Sequence, residues 1–248
     1  MPCTLDRSGH IATITFGSPA HNALSTELLY QITQYILVLN NDTSLKAILL
    51  KSEGDRTFCA GADLAELLNI QDEVSGSAFF YGFAQLILAM RHSPHLILCR
   101  VQGKAIGGAV GIIAASDYVI ASEKSQIRLS ELIIGIGPFV VGPAIERKMG
   151  LAAFNQMTLS PRDWHDARFA LVHGLFSRVT SDMVSLDQLI LEKLNEWSGY
   201  GTTALQEIKK MIWSSTPPWE HLLSQRAAIS GSLIMSAESK AALQALKS

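Results

Sequence analysis

The chain has 248 residues, of which 48% are hydrophobic and 17% are charged, and its net charge at pH 7 is −2. This length accommodates one large domain, or one domain with an appended segment, around a substantial core. The charge balance offers no basic surface of the kind that nucleic acid or an anionic membrane requires. The charged fraction is lower than the ~25% of typical soluble domains, which indicates that self-association covers part of the surface.

The cysteine pattern and the chain start exclude several classes of protein. Cys3, Cys59 and Cys99 have no CxxC spacing, so neither a disulfide framework nor a metal site is predicted. We interpret them as buried thiols, with a nucleophile at Cys59 as the less favoured alternative. The first residues hold no apolar signal segment, and the longest apolar run, residues 106–121, contains Asp117 and is shorter than a membrane span. We therefore expect a cytoplasmic protein.

Strand-like and helix-like segments alternate along most of the chain. The patterns predict strands at 11–16, 46–50, 96–101 and 118–121, and helices after a capping Ser25, at 79–90 and at 110–116. The polar residues 69–77 are interpreted as a loop, either mobile over a site or simply at the surface. This alternation favours parallel strand pairing and an α/β architecture.

The chain changes character near residues 181–185. Apolar stripes predict helices at 186–197, 205–213 and 219–235. We therefore predict an α/β core over residues 1–184 and a helical region over residues 185–248. The helical region is expected either to fold back on the core or to pack on a neighbouring subunit.

Two turns rich in small residues carry the main functional signal. They are Phe58-Cys59-Ala60-Gly61-Ala62-Asp63-Leu64 and Gly103-Lys104-Ala105-Ile106-Gly107-Gly108-Ala109-Val110-Gly111. Each follows a strand-like run and leads into a helix-like one. Two such turns brought together can direct two backbone N–H groups at one oxygen, which stabilises an enolate or oxyanion. Taken singly, either turn is better explained by glycines that permit a tight connection, and it is the pair of matched turns that favours the functional interpretation.

With both turns in this order, the chain resembles members of the crotonase superfamily, the enoyl-CoA hydratase/isomerase family, over nearly its whole length. Residues 58–64 match the first oxyanion-hole motif of the family, and Gly107-Gly108 match the second. Residues 20–24, Ala-His-Asn-Ala-Leu, are similar to its N-terminal signature. The resemblance implies an α/β fold of the ClpP/crotonase type, a spiral of β-β-α units followed by a C-terminal helical region that builds homotrimers or homohexamers.

The resemblance also implies a ligand and a set of site residues. The ligand is an acyl thioester of coenzyme A, or of a pantetheine-bearing carrier protein, which serves as substrate with no further cofactor. The N–H groups of Ala62 and Gly108 would hold the thioester oxygen. The remaining residues expected to contact substrate are Ala60, Asp63 and Leu64 at the nucleotide end, and Gly107, Gly111 and Phe139.

Proton transfer is assigned to Glu131, which matches one of the two glutamates that hydratases of the family use. It precedes an apolar run, where desolvation raises a carboxyl pKa toward a working range. A helix-capping or surface glutamate is the alternative. The other glutamate position falls on Gly111, so Glu131 acts alone unless a carboxylate remote in sequence, such as Glu66 or Glu123, reaches the site.

The sequence around Gly111, followed by Phe139-Val140-Val141, is similar to a bacterial branch described as methylglutaconyl-CoA hydratase-like, which serves leucine degradation. The bulky 139–141 segment is expected to reshape the acyl pocket. Arg128 is interpreted as a solvated arginine, with pairing to a substrate carboxylate as the alternative.

The predicted function is therefore hydration of a 2-enoyl-CoA by one glutamate and an oxyanion hole. An enoyl-CoA isomerase or an acyl-CoA decarboxylase that uses the same oxyanion hole is the first alternative. A non-catalytic acyl-CoA-binding protein is the second.

Overall fold

The computed structural model describes residues 3–247, in which helices surround two β-sheets. The strands are β1 (Cys3–Ser8), β2 (Ile11–Phe16), β3 (Ala47–Ser52), β4 (Thr57–Cys59), β5 (Leu96–Val101), β6 (Lys104–Ile106), β7 (Tyr118–Ser122), β8 (Gln126–Arg128), β9 (His165–Asp166) and β10 (Arg178–Thr180). The helices are α1 (Thr26–Leu39), α2 (Leu64–Asn69), α3 (Glu73–His92), α4 (Gly108–Ala115), α5 (Gly142–Leu159), α6 (Ala167–Val172), α7 (Met183–Ser198), α8 (Thr202–Ser214), α9 (Trp219–Leu233) and α10 (Ala237–Lys247). A short 3-10 turn spans Glu131–Ile134.

The two sheets are built by a repeated path of the chain. The larger sheet has the order β1-β2-β3-β5-β7-β10, and the smaller has the order β4-β6-β8-β9. From β3 onward, a strand of the larger sheet is followed by a strand of the smaller one and then by helix: β3, β4, α2–α3; β5, β6, α4; β7, β8, and the 3-10 turn. Among the strand pairs of residues 3–247, only β1–β2 and β8–β9 are antiparallel. This path is the predicted spiral of β-β-α units, and the α/β fold is confirmed.

Helices cover both faces of the larger sheet, and its central strands are accordingly buried on both sides. In β5, every residue except Arg100 is buried. On one face the sheet contributes to the main core with α1, α3 and α4. On the other face a second cluster joins the sheet to α7 and α8, through Leu49, Leu98, Ile120, Leu186, Ile190, Leu194, Trp197 and Leu205.

Local capping explains one confirmed prediction and one that was wrong. The side chain of Ser25 accepts a hydrogen bond from the Leu28 N–H (3.1 Å) and begins α1, as predicted. The predicted loop at 69–77 is wrong, because α3 begins at Glu73. Asp72 accepts from the Ser75 N–H (2.7 Å), and the Ser75 hydroxyl oxygen accepts from the Asp72 N–H (3.3 Å), which forms a capping box. The polar residues there are helix-start signals rather than loop residues.

The C-terminal helices fold back on the rest of the same chain. Helix α9 packs along α3, and Gly76 and Gly231 let the two backbones approach so closely that a Cβ on Gly76 would lie 3.0 Å from the Gly231 Cα. Helix α10 contacts α2 and the 3-10 turn. The division of the chain at residues 184/185 stays a prediction.

A buried ion pair ties α8 to the larger sheet. The Lys209 Nζ lies 2.5 Å from Oδ2 of Asp117, and both side chains are almost fully buried. The Asp117 carboxylate also accepts from the Trp213 Nε1–H (3.0 Å) and from the Ile97 N–H (2.7 Å). The ion pair and these hydrogen bonds satisfy the buried carboxylate and fix helix α8 against the start of β5.

Across residues 3–247, no helix combines the length and the apolar character needed to cross a membrane.

Candidate active site

The first small-residue turn joins β4 to α2. Gly61 has φ +91°, and a Cβ there would lie 2.8 Å from the Ile106 carbonyl oxygen, so only glycine fits. Two backbone bonds secure the turn to residue 24: Leu24 N–H donates to the Gly61 carbonyl (2.8 Å) and Asp63 N–H donates to the Leu24 carbonyl (3.0 Å). Between them, the Ala62 N–H has no acceptor in the described part of the chain. The turn therefore leaves this donor available to a ligand.

Residues 20–24, the N-terminal signature, contact the segment that leads into this turn. His21 and Asn22 both have positive φ angles, near 55° and 60°. The Asn22 Nδ2 group donates to the carbonyls of Glu53 (2.8 Å) and Thr57 (3.0 Å). The asparagine thus holds the chain around β4 in place, because an amide can donate to more than one carbonyl at once.

The second turn joins β6 to α4. Gly107 has φ +56°, and its N–H donates to the Arg128 carbonyl (2.8 Å). The next residue, Gly108, is the first of α4, and its N–H finds no acceptor among residues 3–247. A Cβ on Gly108 would lie 2.8 Å from Cδ1 of Phe83, so this position also requires glycine. The N-terminal end of a helix carries a partial positive charge, which would attract an anionic oxygen bound there.

Both free donors belong to residues that line one cavity of about 340 Å³. The wall of this cavity is mainly apolar, and segments that are distant in sequence form it together. Ala60, Leu64, Gly107 and Phe139, all predicted to contact substrate, also line it. The structure therefore brings the two turns, which lie far apart in the sequence, to the wall of one cavity, and within the described chain each turn contributes one N–H group without an acceptor.

Glu131 lies beside the second turn, at the start of the 3-10 turn after β8. Its Oε1 would be 3.1 Å from a Cβ on Gly107, and its Oε2 is buried with no partner in the described structure. Although the residue keeps some exposed surface, burial of the carboxyl group raises its pKa to about 7. A carboxyl group with this pKa can both accept and return a proton near neutral pH.

No other carboxylate lines this cavity in residues 3–247. Glu66 points elsewhere, because its Oε2 accepts from the N–H and the hydroxyl of Thr26 (2.9 and 2.7 Å). Glu123 is exposed and does not line the cavity. Glu131 is thus the single carboxylate that the described structure offers to a ligand here.

Two of the predicted substrate contacts lie off the cavity wall. The Asp63 side chain accepts from the Glu66 N–H (3.0 Å) and caps α2. Gly111 is buried in α4 behind Val141, and a Cβ there would lie 2.5 Å from Cγ1 of Val141. The space that a side chain at residue 111 would need is therefore filled by valine.

Cys59 is fully buried next to the first turn and is not part of the cavity wall. Burial raises the pKa of its thiol to about 12, so the group is protonated at neutral pH. A protonated, enclosed thiol is a poor nucleophile, in agreement with its interpretation as a buried thiol.

Several wall residues were not predicted from the sequence. They are Phe83 from α3, Ser230 from α9, and Leu243 and Leu246 from α10. Phe83 and Leu243 are buried apolar residues like those of the core, and no local pattern separates a cavity-facing side chain from a packed one. Arg128 also lines the cavity and is half-buried, whereas we expected a solvated side chain.

Comparison with known proteins is consistent with this site. A family model described as enoyl-CoA hydratase/isomerase matches residues 6–247. The chain is 30% identical over 135 residues to the putative enoyl-CoA hydratase/isomerase YngF of Bacillus subtilis (strain 168), a match that covers 53% of this chain and 51% of that protein. It is 26% identical over 194 residues to the short-chain-enoyl-CoA hydratase of Clostridium acetobutylicum, covering 77% and 74% respectively. The chain thus spans about half the length of the first of these curated relatives.

The fold agrees with that of a solved structure. The crystal structure of enoyl-CoA hydratase from Bacillus halodurans superimposes with a TM-score of 0.90 at 22% identity, over 99% of this chain and 100% of that chain. At this identity the likeness supports the fold alone. Because the family model spans nearly the whole chain, the family predicted from the two turns is confirmed: the chain belongs to the enoyl-CoA hydratase/isomerase family.

Proposed function

We propose that the chain binds an acyl thioester of coenzyme A in this cavity and adds water to a 2-enoyl group. The observation that carries the proposal is the position of Glu131, the one carboxylate on the described wall, beside the turn that presents the Gly108 N–H. One of the relatives is named a short-chain-enoyl-CoA hydratase, which supports hydration of an enoyl thioester as the reaction.

The two free N–H groups would act on the thioester oxygen. When a nucleophile adds at the β-carbon, negative charge moves onto this oxygen and an enolate forms. The N–H groups of Ala62 and Gly108 are fixed before the reaction begins, so they stabilise that charge without reorganising. The apolar wall excludes water from the oxygen and strengthens the interaction.

Glu131 would carry out both proton transfers. Its ionised carboxylate takes a proton from water while the hydroxide oxygen forms a bond to the β-carbon, and the carbon–carbon π electrons move to give the enolate. The protonated Glu131 then returns the proton to the α-carbon, and the thioester carbonyl re-forms. The sum is one water added and no change in net oxidation level, so the proposal involves no further cofactor.

Double-bond isomerisation is the second candidate, because a single carboxylate also suits it. Glu131 would remove a proton from the α-carbon of a 3-enoyl thioester and return it to the γ-carbon through the same enolate. Decarboxylation of a malonyl-type thioester needs the oxyanion hole more than it needs Glu131. A non-catalytic thioester-binding protein would need neither proton transfer.

A branched substrate such as methylglutaconyl-CoA remains part of the proposal. Phe139 and Val141, which belong to the bulky 139–141 segment, lie on the cavity wall and narrow the space available to the acyl group. The cavity accommodates the acyl group itself, whereas the rest of the coenzyme would extend beyond it.

We also infer that the chain forms trimers or hexamers. Large apolar side chains are exposed on several helices of the described chain, including Val38, Leu159, Val172, Val184 and Leu191. Exposed apolar surface of this kind supports self-association. Sedimentation of the purified protein measures the state directly, and a monomer at working concentration contradicts the inference.

The experiment is a substrate panel with two matched variants. Crotonyl-CoA and methylglutaconyl-CoA are incubated with the protein and the loss of enoyl absorbance is followed; a 3-enoyl-CoA tests isomerisation by a gain of absorbance, and methylmalonyl-CoA tests decarboxylation. Glu131→Gln should lower the hydration rate by about 10²–10⁴-fold. Glu66→Gln, which changes a carboxylate outside the cavity, should leave it unchanged.

The outcomes separate the candidates. Hydration that Glu131→Gln abolishes supports the proposal. Gain of absorbance from the 3-enoyl thioester alone supports isomerisation, and product from methylmalonyl-CoA in the Glu131→Gln variant supports decarboxylation. Thioester binding by calorimetry without turnover of any substrate contradicts an enzymatic role.

A further inference from the structure

Arg128 occupies a position in the site that the proposed reaction does not use. It is the last residue of β8, three residues before Glu131, and its carbonyl accepts from the Gly107 N–H. The residue lines the cavity. Its guanidinium carbon lies 4.4 Å from the centre of the Trp164 ring. The strand and the ring together fix where the guanidinium group can lie.

The guanidinium has no anionic partner within the described residues. Its Nε is buried and makes no hydrogen bond, and none of the ion pairs of residues 3–247 includes it. A buried donor on a charged group is unfavourable unless an acceptor satisfies it. Arg128 therefore has an unmet requirement for an anion or another acceptor.

A second cation, Lys104, lies over the same tryptophan ring but outside the cavity. Lys104 places its Nζ 4.9 Å from the centre of the same Trp164 ring. Burial, and in second place the charge of Arg162, lower the pKa of the Arg128 guanidinium, although an arginine stays charged at neutral pH. Lys104 is exposed and does not line the cavity, so Arg128 is the cation of the described wall that a bound ligand would meet.

We propose that Arg128 binds a carboxylate at the far end of the acyl group, so that the preferred substrates are thioesters of dicarboxylic acids. This inference rests on the proposed function, since it assumes that an acyl thioester occupies the cavity. A guanidinium group can donate two parallel N–H···O hydrogen bonds to one carboxylate. Stacking on the Trp164 ring restricts the orientation of the Arg128 guanidinium that would donate them.

The position favours the acyl end over the phosphates of coenzyme A. Arg128 is bonded through its backbone to Gly107, which is adjacent to the Gly108 N–H that would hold the thioester oxygen. The phosphates are separated from the thioester by the whole pantetheine arm. The proposal therefore assigns to Arg128 a carboxylate a few bonds beyond the thioester rather than a phosphate.

The test uses acyl groups that differ only in the terminal group. Binding of glutaryl-CoA and of valeryl-CoA is measured by calorimetry, and turnover is measured with glutaconyl-CoA and 2-pentenoyl-CoA. The wild type should favour the carboxylated member of each pair by about 10- to 100-fold. Arg128→Met should remove that preference while it retains valeryl-CoA binding, which shows that the site remains folded. Arg128→Lys should give an intermediate preference for the carboxylated thioester, because lysine keeps the positive charge but cannot donate two parallel hydrogen bonds to one carboxylate.

Lys104→Met is the matched control, since Lys104 lies over the same ring but is exposed and does not line the cavity. It should leave the preference unchanged. Equal affinity of the wild type for the two saturated thioesters overturns the proposal without any variant. So does an Arg128→Met variant that weakens free coenzyme A as much as glutaryl-CoA, because the arginine then contacts a phosphate.

The failure of this inference and the failure of the proposed function give different results. Hydration of 2-pentenoyl-CoA and glutaconyl-CoA at equal rates leaves the proposed function standing and removes the role of Arg128. Selective binding of glutaryl-CoA without hydration of either enoyl thioester retains the role of Arg128 and removes the hydration.

Discussion

Gly111 and Val141 share a space that holds only one side chain. A Cβ on residue 111 would lie 2.5 Å from Cγ1 and 3.3 Å from Cα of Val141. Val141 is buried at the start of α5 and also lines the cavity. Glycine at position 111 is therefore a packing requirement, and a glutamate there would need the 139–141 segment to move. This contact leaves no room for a side chain at residue 111, and Glu131 is the carboxylate on the described cavity wall.

Adding one methyl group at residue 111 should destabilise the protein. Gly111→Ala forces overlap with Val141 in a packed helix interface, at about 1–3 kcal/mol of unfolding free energy. Val141→Gly removes the overlapping atoms, so the double variant should be more stable than the sum of the two single changes predicts. Urea unfolding of the three variants measures the coupling. Strictly additive effects would show that the two residues do not compete for one space.

The stability of the protein should fall as the pH rises through the range in which Glu131 ionises. Burial raises the pKa of this carboxyl group from 4.5 to about 7 in the folded protein. Between these values the folded state binds more protons than the unfolded state, so unfolding free energy decreases with pH and the loss is complete above pH 7. Glu131→Gln should remove this loss, so its stability relative to the wild type should rise by about 2–3 kcal/mol from pH 4 to pH 8.

Urea titrations at several pH values check this difference. A wild type and a Glu131→Gln variant with parallel pH dependence would contradict the raised pKa.

The second oxyanion donor should be sensitive to a single methyl group. In Gly108→Ala the new Cβ would lie 2.8 Å from Cδ1 of Phe83, so the turn must shift and the N–H of residue 108 must turn away from the cavity. Misdirecting one such donor should lower kcat by about 10²–10³-fold. Gly201→Ala serves as control, since a Cβ there meets no atom within 4 Å. An unchanged kcat in Gly108→Ala would show that this N–H does not act on the reacting oxygen.

The ion pair between α8 and the larger sheet should be essential for stability but not for chemistry. Lys209→Met leaves the buried carboxylate of Asp117 without its cation, which should cost about 3–5 kcal/mol of unfolding free energy. Lys210→Met changes the next residue, whose side chain is 70% exposed, and should alter stability by less than about 0.5 kcal/mol. Thermal and urea unfolding compare the two. Equal stability of the two variants would mean that the buried pair contributes little.

Prediction from sequence succeeded where the signal is local. The β-branched run 11–16 is β2, and the apolar run 96–101 is β5. The two small-residue turns could be identified because Gly61 and Gly107 have positive φ angles, and such positions strongly favour glycine, which is visible in the sequence. The loop predicted at 69–77 failed for a related reason: Asp72 and Ser75 are polar because they cap α3, and capping and loop residues share the same composition.

The sequence alone determined the fold class, through the alternation of strand and helix signals and the resemblance of its two turns to a known family, and the same resemblance singled out Glu131. Only the tertiary structure decided what surrounds them. It set Val141 against Gly111, left Arg128 half-buried beside Trp164 and outside the ion pairs of residues 3–247, and placed Leu243 of α10 on the cavity wall. These relationships join segments far apart in the chain, and they depend on side-chain packing that no local pattern encodes.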